Sequence, residues 1–368
     1  MTITVLIILL GVEKTGSQIP IDFNAVAMEG LKTANGIDAK TQHVLVTRED
    51  VYVSQLSLPY STNVDVRNSD GQTPLHVAAH HGHIEAARMV IGQGADTDAR
   101  DNKSWTPLHE ASRHGYLDIM RLLLGHGADR GALNNNNCTP LHLTAAHGHL
   151  AATRLLVEQG ANIHVPNKDG WTPLHEATYQ GHFDVIRFLL QQGASVDAQN
   201  NNGWTPLHQA SSYGYLDIMR LLLGHGADRG ALNNNNCTPL HLAAAQGQLA
   251  AARLLVEQGA SIYVPNKDGW TPLFEATYPG HLNVVRFLLE QGASVHAQNN
   301  NGWTPLHEAS RNGHTDIIRL FLEYGANMET TNNDHNTPLH LAAHNGQVAA
   351  AELLVEHGAI VGAQNMGG

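Results

Sequence analysis

The sequence predicts an all-α repeat protein in which similar helical units stack one after another. The tripeptide Thr-Pro-Leu recurs nine times at a spacing of 33 residues, beginning at Thr73, Thr106, Thr139, Thr172, Thr205, Thr238, Thr271, Thr304 and Thr337. No insertion interrupts this period, and a regular spacing of about 20 to 50 residues is typical of repeat architectures. Each unit also contains two apolar stretches with helical spacing, separated by a glycine.

Each unit is expected to open with a short helix and to continue with a longer one. In the second unit, Thr106 supplies a hydroxyl for the helix N-cap, and Pro107 suits the first helical position because it has no N–H to leave unpaired. Gly115 suits a left-handed C-cap, so this helix is about two turns long. The more apolar stretch from Leu117 to Leu124 predicts the longer helix, which ends at the following glycine.

A polar turn joins one unit to the next. Its tip reads Asn-Lys-Asp-Gly at 167–170, and the glycine supplies a positive φ. Asn137 and Asn236 occupy the glycine position in two other units and tolerate the same conformation. Ser104 and His335 stand there in the second and ninth units, so we expect those two turns to be less ideal. The pattern predicts hairpin-like turns between units.

Helix, turn, helix and projecting turn, with Thr-Pro-Leu-His opening the first helix every 33 residues, resembles the ankyrin repeat family. The resemblance covers about residues 64–364. It implies an ankyrin-repeat solenoid of L-shaped units whose β-hairpin-like turns form a row of fingers. It also implies that the recurring histidines bridge backbone groups of finger and helix. Members of this family bind partner proteins on a concave face made of finger tips and first helices.

The repeats suggest a simple domain organisation. Residues 1–39 are an unassigned segment, 40–67 a degenerate capping repeat, 68–364 the domain of nine repeats, and 365–368 a short tail. Val51, Leu56 and Leu58 lie near second-helix positions of the capping repeat, which protects the exposed end of a solenoid. The last long helix, 350–355, is as apolar as an internal one, so we expect that end to fray or to continue in a longer protein.

Composition disfavours several classes of function. The chain has 21 basic and 33 acidic residues, a formal charge of −12, and no cluster of Lys and Arg for direct nucleic-acid binding. The apolar run 3–10 is too short to span a bilayer, which takes about 20 residues, and it lacks the features of a signal peptide. Secretion or membrane tethering therefore rests on this run alone, and the expected location is cytoplasmic, with a nuclear location as the alternative.

Aromatic and basic residues near the finger turns are the candidate protein-binding residues. The position before Thr is tryptophan in five units, at Trp105, Trp171, Trp204, Trp270 and Trp303. Two interpretations remain open, because these indoles could anchor a partner or simply cover neighbouring fingers. A second set lies near the end of the first helix, where residues vary between units: Arg113, His114, Tyr179, Tyr213, Tyr278 and Arg311. The alternative for this set is a solvated helix end.

We expect no catalytic, cofactor or metal site. Eight of the 25 histidines recur once per repeat in the Thr-Pro-Leu-His motif, about 10 Å apart, whereas zinc needs ligands about 2 Å from a common centre. Neighbouring histidines such as His80, His81 and His83 could bind metal adventitiously. Acidic residues recur with the repeat, as on solvated helix faces, and no catalytic motif is present. Cys138 and Cys237 lie three repeats apart, too far for a disulfide, which suits a reducing compartment.

The seventh unit is the expected weak point of the array. Phe274 replaces the recurring histidine, and Pro279 falls in the last turn of the short helix. Proline costs up to about 3 kcal/mol inside a helix, and less at a fraying end. We therefore predict local opening within residues 270–300.

Residues 105–203 and 204–302 are near copies, agreeing at all but 16 of 99 aligned positions. Together these features favour a non-enzymatic, monomeric interaction module that acts as adaptor, scaffold or inhibitor. Within this hypothesis, the duplication suggests a partner with two similar epitopes. The alternative is the recognition or sensor arm of a larger protein, such as a ubiquitin-ligase subunit, a channel or a nucleotide-switched receptor.

Overall fold

The computed structural model describes residues 63–366. The segment 1–39 and almost all of the expected capping repeat at 40–67 therefore lie outside the described residues. The chain divides into two compact units, residues 1–135 and 136–368. The described part of each unit is built from helix pairs, one pair for every Thr-Pro-Leu tripeptide, which confirms the all-α repeat fold.

The described part of the first unit contains two helix pairs. They are α1 (Pro74–His81), α2 (Ile84–Gly92), α3 (Pro107–His114) and α4 (Leu117–Gly125). The described part of the second unit contains seven pairs. They are α5 (Pro140–Ala146), α6 (Leu150–Glu158), α7 (Pro173–Gln180), α8 (Phe183–Gln191), α9 (Pro206–Tyr213), α10 (Leu216–Gly224), α11 (Pro239–Ala245), α12 (Leu249–Glu257), α13 (Pro272–Thr277), α14 (Leu282–Glu290), α15 (Pro305–Asn312), α16 (Thr315–Glu323), α17 (Pro338–His344) and α18 (Val348–Glu356).

The short helices begin as the Thr-Pro-Leu-His motif predicts. In α3, the backbone N–H of Thr106 donates to Nδ1 of His109 at 3.1 Å, and the backbone N–H of His109 donates to the Thr106 hydroxyl at 3.4 Å. This reciprocal pair is a capping box in which histidine takes the place usually held by Glu or Gln. Gly115 ends the helix with a φ of 72°, as expected.

The finger turns are held by an asparagine or aspartate side chain. In the fourth repeat, Oδ1 of Asn167 accepts hydrogen bonds from the backbone N–H groups of Asp169 and Trp171, each at 2.9 Å. Gly170 closes the turn with a φ of 78°. Ser104 and His335 adopt the same left-handed conformation, with φ of 59° and 58°. Both turns therefore form despite the strain that a side chain adds there.

Neighbouring fingers are joined through their backbones. Within the second unit, the N–H of Asn201 donates to the carbonyl of Asp169 at 3.0 Å, and the Asn201 amide donates to the carbonyl of Lys168 at 2.7 Å. The next finger repeats both bonds one period later, through Asn234. Each finger thus fixes the register of the following one.

The core of the second unit lies between the two rows of helices. Leu174 and Ala177 of α7 are fully buried, as are Leu189 of α8 and Leu207 of α9. Each repeat adds such a set to one continuous cluster. The stability of a repeat therefore comes from packing against its neighbouring repeats as much as from contacts within itself.

The seventh repeat departs from the pattern where the sequence predicts it. Helix α13 ends at Thr277, whereas its near copy α7 extends to Gln180. The shortening follows from Pro279, which supplies no N–H for the last turn. Phe274 occupies the histidine position and is completely buried. The expected local opening of residues 270–300 stays a prediction.

Candidate protein-binding face

The residue before each Thr is held between a finger and two short helices. In the fourth repeat, the Trp171 N–H donates to Oδ1 of Asn167, and the Trp171 carbonyl accepts a hydrogen bond from Nε2 of His142 in the preceding repeat, at 3.0 Å. Its indole lies against the His175 ring, with centroids 6.4 Å apart. All five tryptophans are partly buried in this position. We call the surface formed by the finger turns and short helices the finger face.

The recurring histidines fix the backbone of the finger face. His208 shows the arrangement: Nδ1 accepts the Thr205 N–H at 3.1 Å, so Nε2 carries the proton and donates to the Cys237 carbonyl at 3.0 Å. Burial lowers the pKa of His208 to about 4, and it does the same for His175, His241 and His307. These rings are therefore neutral and structural at pH 7. The bridging role implied by the ankyrin resemblance is confirmed.

A side chain from the end of the short helix covers most of the indoles. Four tryptophans pair with the residue eight positions later: Trp105 with Arg113 at 5.7 Å, Trp171 with Tyr179 at 5.1 Å, Trp270 with Tyr278 at 5.8 Å, and Trp303 with Arg311 at 5.4 Å. In the fifth repeat the equivalent residue is Ser212, which is too small to cover Trp204. In these four repeats a residue of the second candidate set thus packs on a tryptophan of the first set.

Three of the candidate residues form a continuous aromatic run in the second unit. Trp171 meets Tyr179 edge to face, and Tyr179 meets Tyr213 of the next repeat edge to face at 5.5 Å. Tyr213 in turn stacks on Tyr215, also at 5.5 Å. Tyr179 and Tyr213 remain 39% and 44% exposed. We call Trp171, Tyr179 and Tyr213 the aromatic run.

An open groove lies further along the same face of the second unit. It encloses about 520 Å³ and is lined by two tryptophans, one arginine, three acidic residues and three asparagines. These residues are Trp270, Trp303, Arg311, Asp268, Asp334, Glu308, Asn299, Asn301 and Asn333. The groove therefore combines apolar walls with polar groups of both charges.

Several acidic residues of the short helices are buried, which corrects the expectation that all of them lie on solvated faces. Glu110 and Glu308 are only 5% and 1% exposed. Burial raises the pKa of Glu176 to about 7, an effect to which the Asp169 carboxylate adds, and burial raises the pKa of Glu275 likewise to about 7. The sequence could not show this, because a glutamate after Leu-His also suits an exposed helix position.

The first unit has its own part of the finger face. Arg113 lies over Trp105, and His114 stacks on Tyr116 with centroids 5.5 Å apart. The structure also brings His80 to His114, with centroids 4.7 Å apart. The sequence alone did not predict this contact, which joins residues 34 positions apart, one more than the 33-residue period.

Paired helices, hydrogen-bonded fingers and a 33-residue period define a helical-repeat protein. The family model for ankyrin repeats in three copies matches the chain over residues 43–134, 123–200, 141–235, 192–266, 225–299 and 291–365. The chain therefore belongs to the ankyrin repeat family. Members of this family are generally protein–protein interaction modules and are typically not enzymes. A comparison with curated proteins found no significant match. Within residues 63–366, no helix is both long and apolar enough to cross a membrane.

Proposed function

We propose that this protein is a non-enzymatic adaptor, scaffold or inhibitor that binds a protein partner on the finger face of its second unit. The observation that carries the proposal is the aromatic run, in which two half-exposed tyrosines extend from a tryptophan held by backbone hydrogen bonds. Tryptophan and tyrosine are enriched among the residues that dominate binding energy at protein interfaces.

The aromatic run suits this role because its rings are already fixed. Each ring contacts the next at 5.1 to 5.5 Å, so a partner need not immobilise flexible side chains on binding. Polar finger residues such as Lys168 and Asn201 are exposed beside it. An apolar centre with a polar rim is the usual composition of a specific interface.

The groove between Trp270 and Trp303 supplies a second contact region on the same unit. Arg311 can donate to a carboxylate or a backbone carbonyl of a partner, while Asp268 and Asp334 can accept from basic side chains. We propose that the aromatic run provides affinity and that this groove provides selectivity for a segment with mixed charge.

The remaining expectations belong to the same proposal. We propose a monomeric protein of the cytoplasm, with the nucleus as the alternative, that does not bind nucleic acid directly. The formal charge of −12 supports the last point, and two cysteines kept as thiols support a reducing compartment.

The test compares the wild-type chain with two variants in proximity-labelling or pull-down proteomics, after circular dichroism shows that all three are folded. The finger-face variant combines Tyr179→Ser, Tyr213→Gln and Tyr278→Ser. Each replacement is already found at the same position of another repeat, in Ser212 or Gln180. The control variant combines Asp184→Ala with Arg187→Ala, which removes an exposed ion pair of 2.7 Å on α8.

A partner on the finger face would be lost from the finger-face variant and kept by the control variant. With the purified partner, the finger-face variant should bind about 30-fold more weakly or worse, since loss of an interface anchor costs about 2 kcal/mol or more. Partners that are retained equally by all three proteins would show that the aromatic run serves packing alone and would overturn the proposal.

A further inference from the structure

Three metal-ligating side chains meet at the junction of the first two repeats, within the first unit. His80 lies in the last turn of α1, while Glu110 and His114 lie one turn apart on α3. Nδ1 of His80 is 3.0 Å from Oε2 of Glu110, and the ligand atoms of all three residues lie within 4.8 Å of one another. The sequence alone pointed to neighbouring histidines such as His80, His81 and His83, for adventitious binding.

Glu110 is the unusual member of the group, because a carboxylate that is 5% exposed needs a cation or strong hydrogen bonds to remain charged. Its ion-pair partner is the His80 imidazole, which is positive only when protonated. The amide of Gln72 is 3.5 Å from its other oxygen. His80 and His114 also lie at helix C-terminal ends, where the helix dipole favours a positive charge.

We propose that His80, Glu110 and His114 bind one divalent transition-metal ion, with zinc as the expected occupant. Two imidazole nitrogens and one carboxylate oxygen are a ligand set that zinc accepts, with a fourth position for water or for a side chain of a bound molecule. Imidazole ligands disfavour Mg²⁺ and Ca²⁺. The inference does not depend on the proposed function.

The geometry needs only a small adjustment to hold the ion. Tetrahedral zinc with bonds of about 2.0 to 2.1 Å places its ligand atoms about 3.4 Å apart. The contact between His80 and Glu110 is already close to that value, and the side chain of His80 is 40% exposed, so its ring has room to turn. The ion would replace the proton between these two groups and would link α1 to α3.

The repeats of the second unit show that the fold itself does not demand these three residues. The positions 99 residues further along the chain hold Tyr179, Gln209 and Tyr213. Tyr179 and Tyr213 meet edge to face there, as His80 and His114 do here. The same arrangement of side chains is therefore built without any metal ligand, and the ligand set is a property of the first junction.

This correspondence supplies a test variant that suits the fold. His80→Tyr, Glu110→Gln and His114→Tyr together copy the later junction. The matched control combines His147→Gln and His149→Gln, which copies Gln246 and Gln248 and removes two other histidines that lie close together. The full chain is first freed of metal with a chelator and then titrated with Co²⁺, read by visible absorption, and with Zn²⁺, read by competition with a chromophoric chelator.

The expected result is one tight equivalent of Zn²⁺, a Co²⁺ spectrum of four-coordinate nitrogen and oxygen ligation, and a higher Tm with Zn²⁺. The control variant should keep all three properties, and the triple variant should lose them. If the triple variant fails to fold, His80→Tyr alone serves, because this side chain is partly exposed at a helix end. The proposal is overturned if the wild type binds no tight equivalent, or if the triple variant retains it or the control variant loses it.

Discussion

The indole of Trp171 meets the phenol of Tyr179 edge to face, with ring centroids 5.1 Å apart, although most of the short helix α7 lies between the two residues in the sequence. The first is fixed by the finger and the second by the end of α7. The pair therefore ties the finger to the short helix of its own repeat. Because Arg113, Tyr278 and Arg311 make the equivalent contact, it is a regular feature of the tryptophan repeats.

We expect this contact to contribute measurably to stability. Tyr179→Ser should lower the free energy of unfolding by about 0.5 to 1.5 kcal/mol, the usual value of an aromatic pair. Ser212→Tyr, which would cover Trp204 in the same way, should raise the free energy of unfolding by a similar amount. Both values can be measured by urea denaturation. Changes of the same sign in the two variants would show that the pair is not a stabilising contact.

The fold could be predicted from the sequence because its determinants are local and repeated. Thr106 and Pro107 start the short helix of their repeat and Gly115 ends it. Because the same motif recurs in every repeat, the local structure of one repeat predicts that of the others. The tryptophan row was also predictable, since its members share one position. The contact of Trp171 with Tyr179 was not, because it depends on how far the finger bends back towards the helix.

The cluster of His80, Glu110 and His114 could not be predicted from the sequence, for a different reason. It combines residues of two repeats, and only the packing of α1 on α3 fixes how far apart they lie. The burial of Glu110 carries no sequence signal either, because Val77, Leu143 and Gln209 occupy the same position elsewhere. The residue type at the position of Glu110 varies in polarity from repeat to repeat, whereas the burial of that position depends on how the neighbouring repeat packs against it.

The seventh repeat gives a second prediction, because comparison with its near copy, the fourth repeat, shows which stabilising features it lacks. Phe274→His should restore the capping box of α13 and a hydrogen bond to the Trp303 carbonyl, as His175 forms with Trp204. Pro279→Gln should lengthen α13 to match α7. The double variant is expected to be about 1 to 3 kcal/mol more stable than the wild type, from two regained hydrogen bonds and the removal of proline.

Hydrogen exchange tests whether the seventh repeat opens locally. In the wild type, amides of residues 270–300 should exchange faster than those of the matched segment 171–201, and the double variant should remove the difference. Equal protection of the two segments in the wild type would contradict the prediction. A gain in protection that spreads equally over every repeat would show that the two substitutions act globally.

Two partly buried glutamates, Glu176 and Glu275, predict that stability falls on the alkaline side. The pKa of Glu176 and Glu275 is raised from 4.5 to about 7, so the folded state holds protons that the unfolded state releases. This contribution is complete below pH 4.5 and is lost as the pH rises through 7. Glu176→Gln with Glu275→Gln copies Gln209 and removes the titration.

At pH 8 this double variant should be more stable than the wild type by roughly 1 to 3 kcal/mol per site, while near pH 4.5 the two proteins should be about equal. Urea denaturation at both pH values measures the difference. A variant that is less stable than the wild type at pH 8 would show that the carboxylates are stabilised by their hydrogen bonds to Asn167 and Asn266 more than burial disfavours them.

The recurring histidines predict the opposite trend in acid. His208 has a pKa lowered from 6.5 to about 4 because it is buried, so the unfolded chain binds a proton that the folded chain excludes. Its contribution to stability is complete above pH 6.5 and is lost as the pH falls towards 4, by about 3 kcal/mol. His175, His241 and His307 add to the same loss.

A single substitution separates this titration from general acid sensitivity. His208→Phe copies Phe274 and leaves the Thr205 N–H and the Cys237 carbonyl without their bonds to the ring. It should therefore cost about 1 to 3 kcal/mol per lost bond at pH 7. Between pH 6.5 and 4, however, the free energy of unfolding of this variant should fall less steeply with pH than that of the wild type. The difference in slope should correspond to nearly one proton, because the variant lacks a histidine that takes up a proton on unfolding. An unchanged slope would mean that His208 is not protonated on unfolding in this range, and that the acid sensitivity arises elsewhere in the array.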